Sequence, residues 1–122
     1  MNPRLLAQLI AGGRVAVGVG LFAAPQVITR HWVGEKEGDR LGTRVMAMGL
    51  GARDLAIGAG TLSALGGDAA KPWLAASAAA DLLDLAATLR NAGDMPTSSV
   101  IGTVVVAGGA AALGGWLLSQ DV

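Results

Sequence analysis

Apolar residues run along this chain in four long blocks, broken by short polar stretches at regular intervals. The blocks fall at residues 4–24, 41–65, 72–92 and 99–119. Each is about 20 residues or slightly more, which as a helix spans roughly 30 Å, the thickness of a bilayer's hydrocarbon core. The fourth block is uncharged from Val100 to Leu118. The other three carry charges near their centres: Arg14 in the first, Arg53 and Asp54 in the second, Asp81 and Asp84 in the third. A charge at the bilayer midplane costs about 2.5–3.5 kcal/mol on insertion scales and usually faces a partner or a polar cavity. The pattern therefore predicts an all-α fold: an integral membrane, antiparallel four-helix bundle in one domain, with its charges gathered inside.

The punctuation agrees. Pro25 closes the first block, Pro72 falls in the first turn of the third, and Pro96 precedes the fourth with Thr97, Ser98 and Ser99 as candidate caps. Trp32, Trp73 and Trp116 sit at block edges, where interfacial aromatics belong. Residues 26–40 read as the one long loop, with Val27, Ile28, Trp32 and Val33 placed to lie along a membrane surface. Arg14 interrupts the first apolar run, so cleavage as a signal peptide is not expected. Arg30, Lys36, Arg40 and Arg90 outnumber Arg4 and Lys71 on the other side. The positive-inside rule then puts both termini outside the cytoplasm of a multi-pass cell-membrane protein.

In the third block Ser77, Asp81, Asp84 and Thr88 share one helical face by their 4-3-4 spacing. Asp81 and Asp84 are neighbours and repel when both are ionised. Either two cations face them or one of them holds a proton. Arg14 and Arg53 are the natural partners. The first two blocks also resemble each other: residues 11–20 align without gaps on 51–60, setting Arg14 against Asp54. A duplicated helix and mere Gly/Ala richness both account for this. Small residues spaced by four form ridges that allow close helix contact. Gly12, Gly20, Gly58 and Gly60 are expected to pack this way, with Ala107, Ala111, Gly115 and the Gly108–Gly109 pair in the fourth block.

Composition sharpens the class. Hydrophobic residues make up 52% and charged ones 15%, against roughly 25% charged in typical globular proteins. There are 19 glycines and four aromatics. Nine basic residues balance nine acidic ones with no basic tail or stripe, so nucleic acid is not an expected partner. Without cysteine there is no thiolate or disulfide chemistry. His31 has no second histidine, so no transition-metal site is expected. Gly18-Val19-Gly20 lacks the context of a phosphate loop, and no hydrolase triad can be assembled. No cofactor is expected.

The run Gly51-Ala52-Arg53-Asp54-Leu55-Ala56-Ile57-Gly58 resembles a signature of small, uncharacterised four-span bacterial membrane proteins, in which such a helix precedes a span bearing an aspartate. Asp81 or Asp84 fills that role here. The resemblance covers the second and third blocks and implies an architecture, not an activity. A looser likeness to the DoxX-like four-span proteins rests on size and on Arg14.

Three functions fit these observations. The first is an accessory, scaffolding or oligomeric membrane component, partnered by the bilayer and by itself or a larger complex, with the charges as a latch. The second is a proton-coupled carrier or channel for a small solute, using Asp81 and Asp84. The third is a small membrane enzyme with an aspartic acid as general acid. A sealed charge belt favours the first; a cleft reaching Asp81 favours the others.

Overall fold

A computed structural model describes residues 1–122, and it is all-α: 84% helical, with six α-helices and no strand. The four long helices are α1 (Pro3–Ala23), α4 (Leu41–Ala64), α5 (Ala70–Arg90) and α6 (Thr97–Leu117). Between α1 and α4 lie α2 (Pro25–Val33) and a single turn, α3 (Glu35–Gly38). Each long helix falls within about two residues of its expected block.

The segment 26–40 departs from expectation. Pro25 is preorganised for a first helical position, so the chain turns at Ala24 and starts a second helix at once. Gly34 ends that helix at φ 91°, a left-handed conformation that glycine adopts without a Cβ penalty. Thr29 is fully buried and donates to the Gly38 carbonyl at 2.9 Å, locking α3 back onto α2. Asp39 accepts from Arg30 Nε at 2.5 Å; this bond, then the carboxylate's charge, holds the exposed guanidinium above its ordinary pKa. Of the residues expected to lie along a surface, Val27 is exposed, but Ile28 and Trp32 turn inward. The helix caps also differ. Pro96 precedes α6 and no side chain caps it, whereas Asn2 caps α1 by accepting from the Arg4 and Leu5 amides.

The long helices stand in the order α1, α4, α5, α6 around the bundle, so α1 faces α5 across its centre. The tightest pairs are α1 with α4 and α5 with α6. The α1–α4 seam has an internal two-fold character. α1 buries Ala7, Ala11, Arg14, Gly18 and Leu21; α4 buries Ala47, Gly51, Asp54, Gly58 and Thr61. These are the same five positions in the alignment of the two segments. A Cβ added at Gly18 would lie 2.6 Å from the Gly51 carbonyl oxygen and 2.7 Å from the Leu55 amide nitrogen. One added at Gly58 would lie 2.7 Å from the Ala11 carbonyl oxygen and 3.0 Å from the Val15 nitrogen. Each contact is the other's counterpart, and Arg14 meets Asp54 between them.

The close packing is therefore carried by Gly18, Gly51 and Gly58. Gly60 does pack, against the Trp73 ring, and Gly20 approaches Ile28. Within the chain Gly12 and Gly109 touch nothing, and Gly108 reaches only Leu85. On α6 the buried ridge is Ala107, Ala111 and Gly114, not Gly115. The reason is phase. The buried face of α1 follows Arg14, so Gly12 and Ala16, two residues to either side, turn away from the seam.

Only 24 of 122 residues are buried, and seven of these are polar or charged. An apolar cluster of Ala7, Leu74 and Leu117 closes the end of the bundle that holds both termini. Large hydrophobics such as Phe22, Leu83, Ile101 and Val105 face outward. α1 and α6 are long and apolar enough to cross a membrane.

Candidate functional site

The charged residues of three helices meet at the bundle's centre. Arg14 is the hub. Its Nη1 donates to Asp54 Oδ1 at 2.8 Å, and its Nη2 donates to Asp81 Oδ1 at 2.6 Å and to the Ser77 carbonyl at 3.3 Å. All of these groups are buried. Arginine suits the position because its planar fork serves two carboxylates at once while remaining charged. Arg53 grips Asp84 with both nitrogens, at 2.7 and 3.1 Å, and touches Asp54 at 3.4 Å; this second pair is half-buried. Both arginines thus meet the expected carboxylate face.

The division of labour differs from a single pair of cations facing a single pair of anions. Asp81 and Asp84 each take a different arginine, and Asp54 joins as a third carboxylate shared between both arginines. Ser77 contributes its backbone carbonyl. Thr88 is buried but makes no bond to the charges and does not line the space beside them. Fully ionised, two guanidiniums face three carboxylates, a net charge of minus one. Asp81 Oδ2 is buried with no hydrogen-bond partner. Arg14 Nε and Arg53 Nε are likewise buried without partners. A lone buried polar atom is costly, on the order of 1–3 kcal/mol, so the cluster is incomplete at these three atoms.

Beside the cluster lies a cleft of about 660 Å³ between α1 and α6. Arg14, Asp54, Asp81 and Asp84 form its polar floor. Its walls are mostly apolar: Leu9, Ile10, Val17, Leu50 and Val106, with Gly13 and Gly102 leaving bare backbone on the two facing helices. α2 covers one end with Ile28, His31 and Trp32. Ser99 on α6 tethers this cover by donating to the His31 carbonyl at 3.0 Å. His31 Nδ1 lies 2.7 Å from the Val27 carbonyl; with the proton on Nδ1, Nε2 is left as an acceptor. Trp32 Nε1 is buried without a partner.

The sequence pointed to the charged floor but not to the cleft. Its walls come from ordinary apolar positions, and its cover from residues read as a loop. The only available hint was that Gly13 and Gly102 supply no side chain. No group of three or more His, Cys, Asp or Glu side chains is arranged to hold a metal.

The chain matches no family model, no curated protein and no solved structure.

Proposed function

We propose that this is a four-span membrane protein whose cleft binds a small solute, with the carboxylates on its floor exchanging a proton as the solute comes and goes. The observation that carries this reading is the cleft itself, which reaches Asp81, Asp84, Asp54 and Arg14. A latch that only fixes helix register needs no empty space beside it. The many exposed large hydrophobics along all four long helices support the bilayer as surroundings, because large apolar patches are unusual on a water-soluble monomer. α4 and α5 match the two most apolar helices in length, and their central charges have partners inside the bundle. The likeness of residues 51–58 to four-span bacterial proteins fits the same architecture.

The cleft runs past the charges in both directions along α1, from Leu9 and Ile10 to Val17 and Leu21. α2 covers one end, and at the other Ala7, Leu74 and Leu117 are packed shut. Ends closed in this way suit a carrier better than a channel, which needs a continuous path. The enzyme reading shares the cleft, but its His31 imidazole and its Ser99 and Thr103 hydroxyls bond to backbone carbonyls and not to the carboxylates.

Infrared difference spectroscopy in liposomes across roughly pH 5–9 tests the proposal, since proton-exchange groups are tuned to the working range. A protonated-carboxyl band that comes and goes with pH, and is lost or displaced in Asp81→Asn, is the expected result. A spectrum with no titrating carboxyl would sink it. Reporter fusions after Ala70 and at the C-terminus should report one side of the membrane, and a fusion at Glu37 the other.

One observation favours a second reading, that of an accessory or self-associating subunit. Gly109 and Gly115 on α6 have nothing within 4 Å of an added Cβ, leaving small-residue surface for another helix. Crosslinking in native membranes that yields only monomer removes it.

A further inference from the structure

We propose that the solute is an organic monocation, an ammonium or phosphonium centre carried on an apolar body, and that it exchanges for one proton. The inference rests on the cleft reading above and names its ligand class. Three features point to it. The floor's three carboxylates are paired with two guanidiniums, Arg14 in the floor and Arg53 outside the lining, so one positive charge brings the cluster to neutrality. Asp81 Oδ2, on a residue more than nine-tenths buried, has no partner and belongs to a side chain lining the cleft. The walls are apolar, and the volume lies within the range of about 300–1,000 Å³ typical of sites for drug-sized molecules.

The alternatives fail on charge. An anion would raise the floor's excess to two negative charges. A hydrated metal ion would have to shed its water against Leu, Ile and Val side chains. A cation with an apolar body satisfies both parts of the site, and Trp32, an aromatic of the kind that attracts cations, lines it at the cover.

Arg44 on α4 forms no ion pair and stands ten residues, roughly 15 Å along the helix, from Asp54, so the balance rests on the groups beside the cleft. α1 brings Arg14, α4 brings Arg53 and Asp54, and α5 brings Asp81 and Asp84. α2 brings His31 at the cover, and α6 brings only the Ser99 and Thr103 hydroxyls. With the site empty, a proton on the carboxylates neutralises the floor. When the cation enters, that proton leaves, and net charge is unchanged. The exchange is one for one, with no bond to carbon formed or broken.

Tetraphenylphosphonium and tetraphenylborate, nearly identical in shape and opposite in charge, test this with the full-length protein in detergent or liposomes. The phosphonium should bind saturably, release about one proton per molecule bound in weakly buffered solution, and bind about tenfold tighter for each unit the pH is raised on the acid side of the floor's titration. The borate should not compete. Asp81→Asn should weaken phosphonium binding at least tenfold. Should that variant fold poorly, Gly102→Phe provides the same test, since a Cβ there meets open space at the cleft wall and no charge is altered.

Borate binding that is equal in strength and equally blocked by Gly102→Phe would overturn the cation inference and leave the cleft reading standing. Phosphonium binding with no proton release would overturn the exchange. If neither ion binds in a way sensitive to Gly102→Phe, and no carboxyl titrates in the infrared, both the inference and the reading beneath it fall.

Discussion

α1 has two faces, and they are built for opposite purposes. Toward α4 it presents Ala11 and Gly18, and the two backbones come into contact. Toward α6 it presents Gly13 and Val17, and there is a cleft. Both faces contain glycine, so glycine content does not distinguish a seam from a cavity. What distinguishes them is what stands opposite. At Gly18 the facing residue is another glycine, Gly51, in the register that brings Arg14 onto Asp54. Beside Gly13 nothing stands within 4 Å of an added Cβ, and α6 lines the cleft with small residues such as Gly102, Thr103 and Ala107. Arg14 stands at the boundary, anchoring the seam through Asp54 and flooring the cleft through Asp81.

The sharpest way to break this arrangement is to remove that shared residue. Arg14→Met should destabilise by about 3–5 kcal/mol, because it strands buried carboxylates. Reversible unfolding in mixed micelles measures it. Adding Asp54→Asn and Asp81→Asn to the same chain should recover much of the loss. An equally unstable triple variant would mean that Arg14 acts through packing rather than charge. The same logic makes Asp81→Ala cost more alone than together with Arg14→Met. Arg53→Met should cost less than Arg14→Met, because the Arg53–Asp84 pair is half-exposed and water can replace the lost partner.

The seam can be broken without touching charge. Gly51→Ala would place its new carbon 2.7 Å from the Gly18 carbonyl oxygen and 3.0 Å from the Phe22 nitrogen. Backbone cannot swing aside, so the helices must separate. Overpacking of this kind costs about 1–3 kcal/mol. Gly18→Ala and Gly58→Ala should behave alike, since they make equivalent contacts across the pair. A clear difference between them would show that the two-fold character is superficial.

The charges and the helices were legible in the sequence because both follow simple rules. A midplane charge needs a partner, and an apolar run of about 20 residues fills a bilayer. The alignment of 11–20 on 51–60 even carried the Arg14–Asp54 pairing. Two things were hidden. One was the phase of each helix. Gly12, Ala16 and Gly20 make as good a small-residue ridge as Ala11 and Gly18, and only the partner's position selects between them. The other was α2. Its charged residues and short length read as loop, yet Pro25 starts a helix and Gly34 ends it, so that Ile28 and Trp32 come over the cleft. Neither depends on local preference; both depend on what lies across the bundle.

The smallest expected effect is also the most direct check that the cleft is open. Glycine inside a helix is less stable than alanine by roughly 0.5–1 kcal/mol, because more backbone freedom is lost on folding. Gly109 lies on the outer face of α6 with nothing near an added Cβ, so Gly109→Ala should gain about that amount. Gly13 and Gly102 also have nothing within 4 Å, although they line the space between two helices. Gly13→Ala and Gly102→Ala should therefore stabilise as much as Gly109→Ala does, while Gly51→Ala on the opposite side of α1 destabilises. The comparison holds chemistry constant, one added methyl in each case, and varies only what it meets. If Gly13→Ala and Gly102→Ala were instead destabilising, α1 and α6 would have to be in contact in the folded protein. The difference between the two faces of α1, and the binding site that rests on it, would then be lost together.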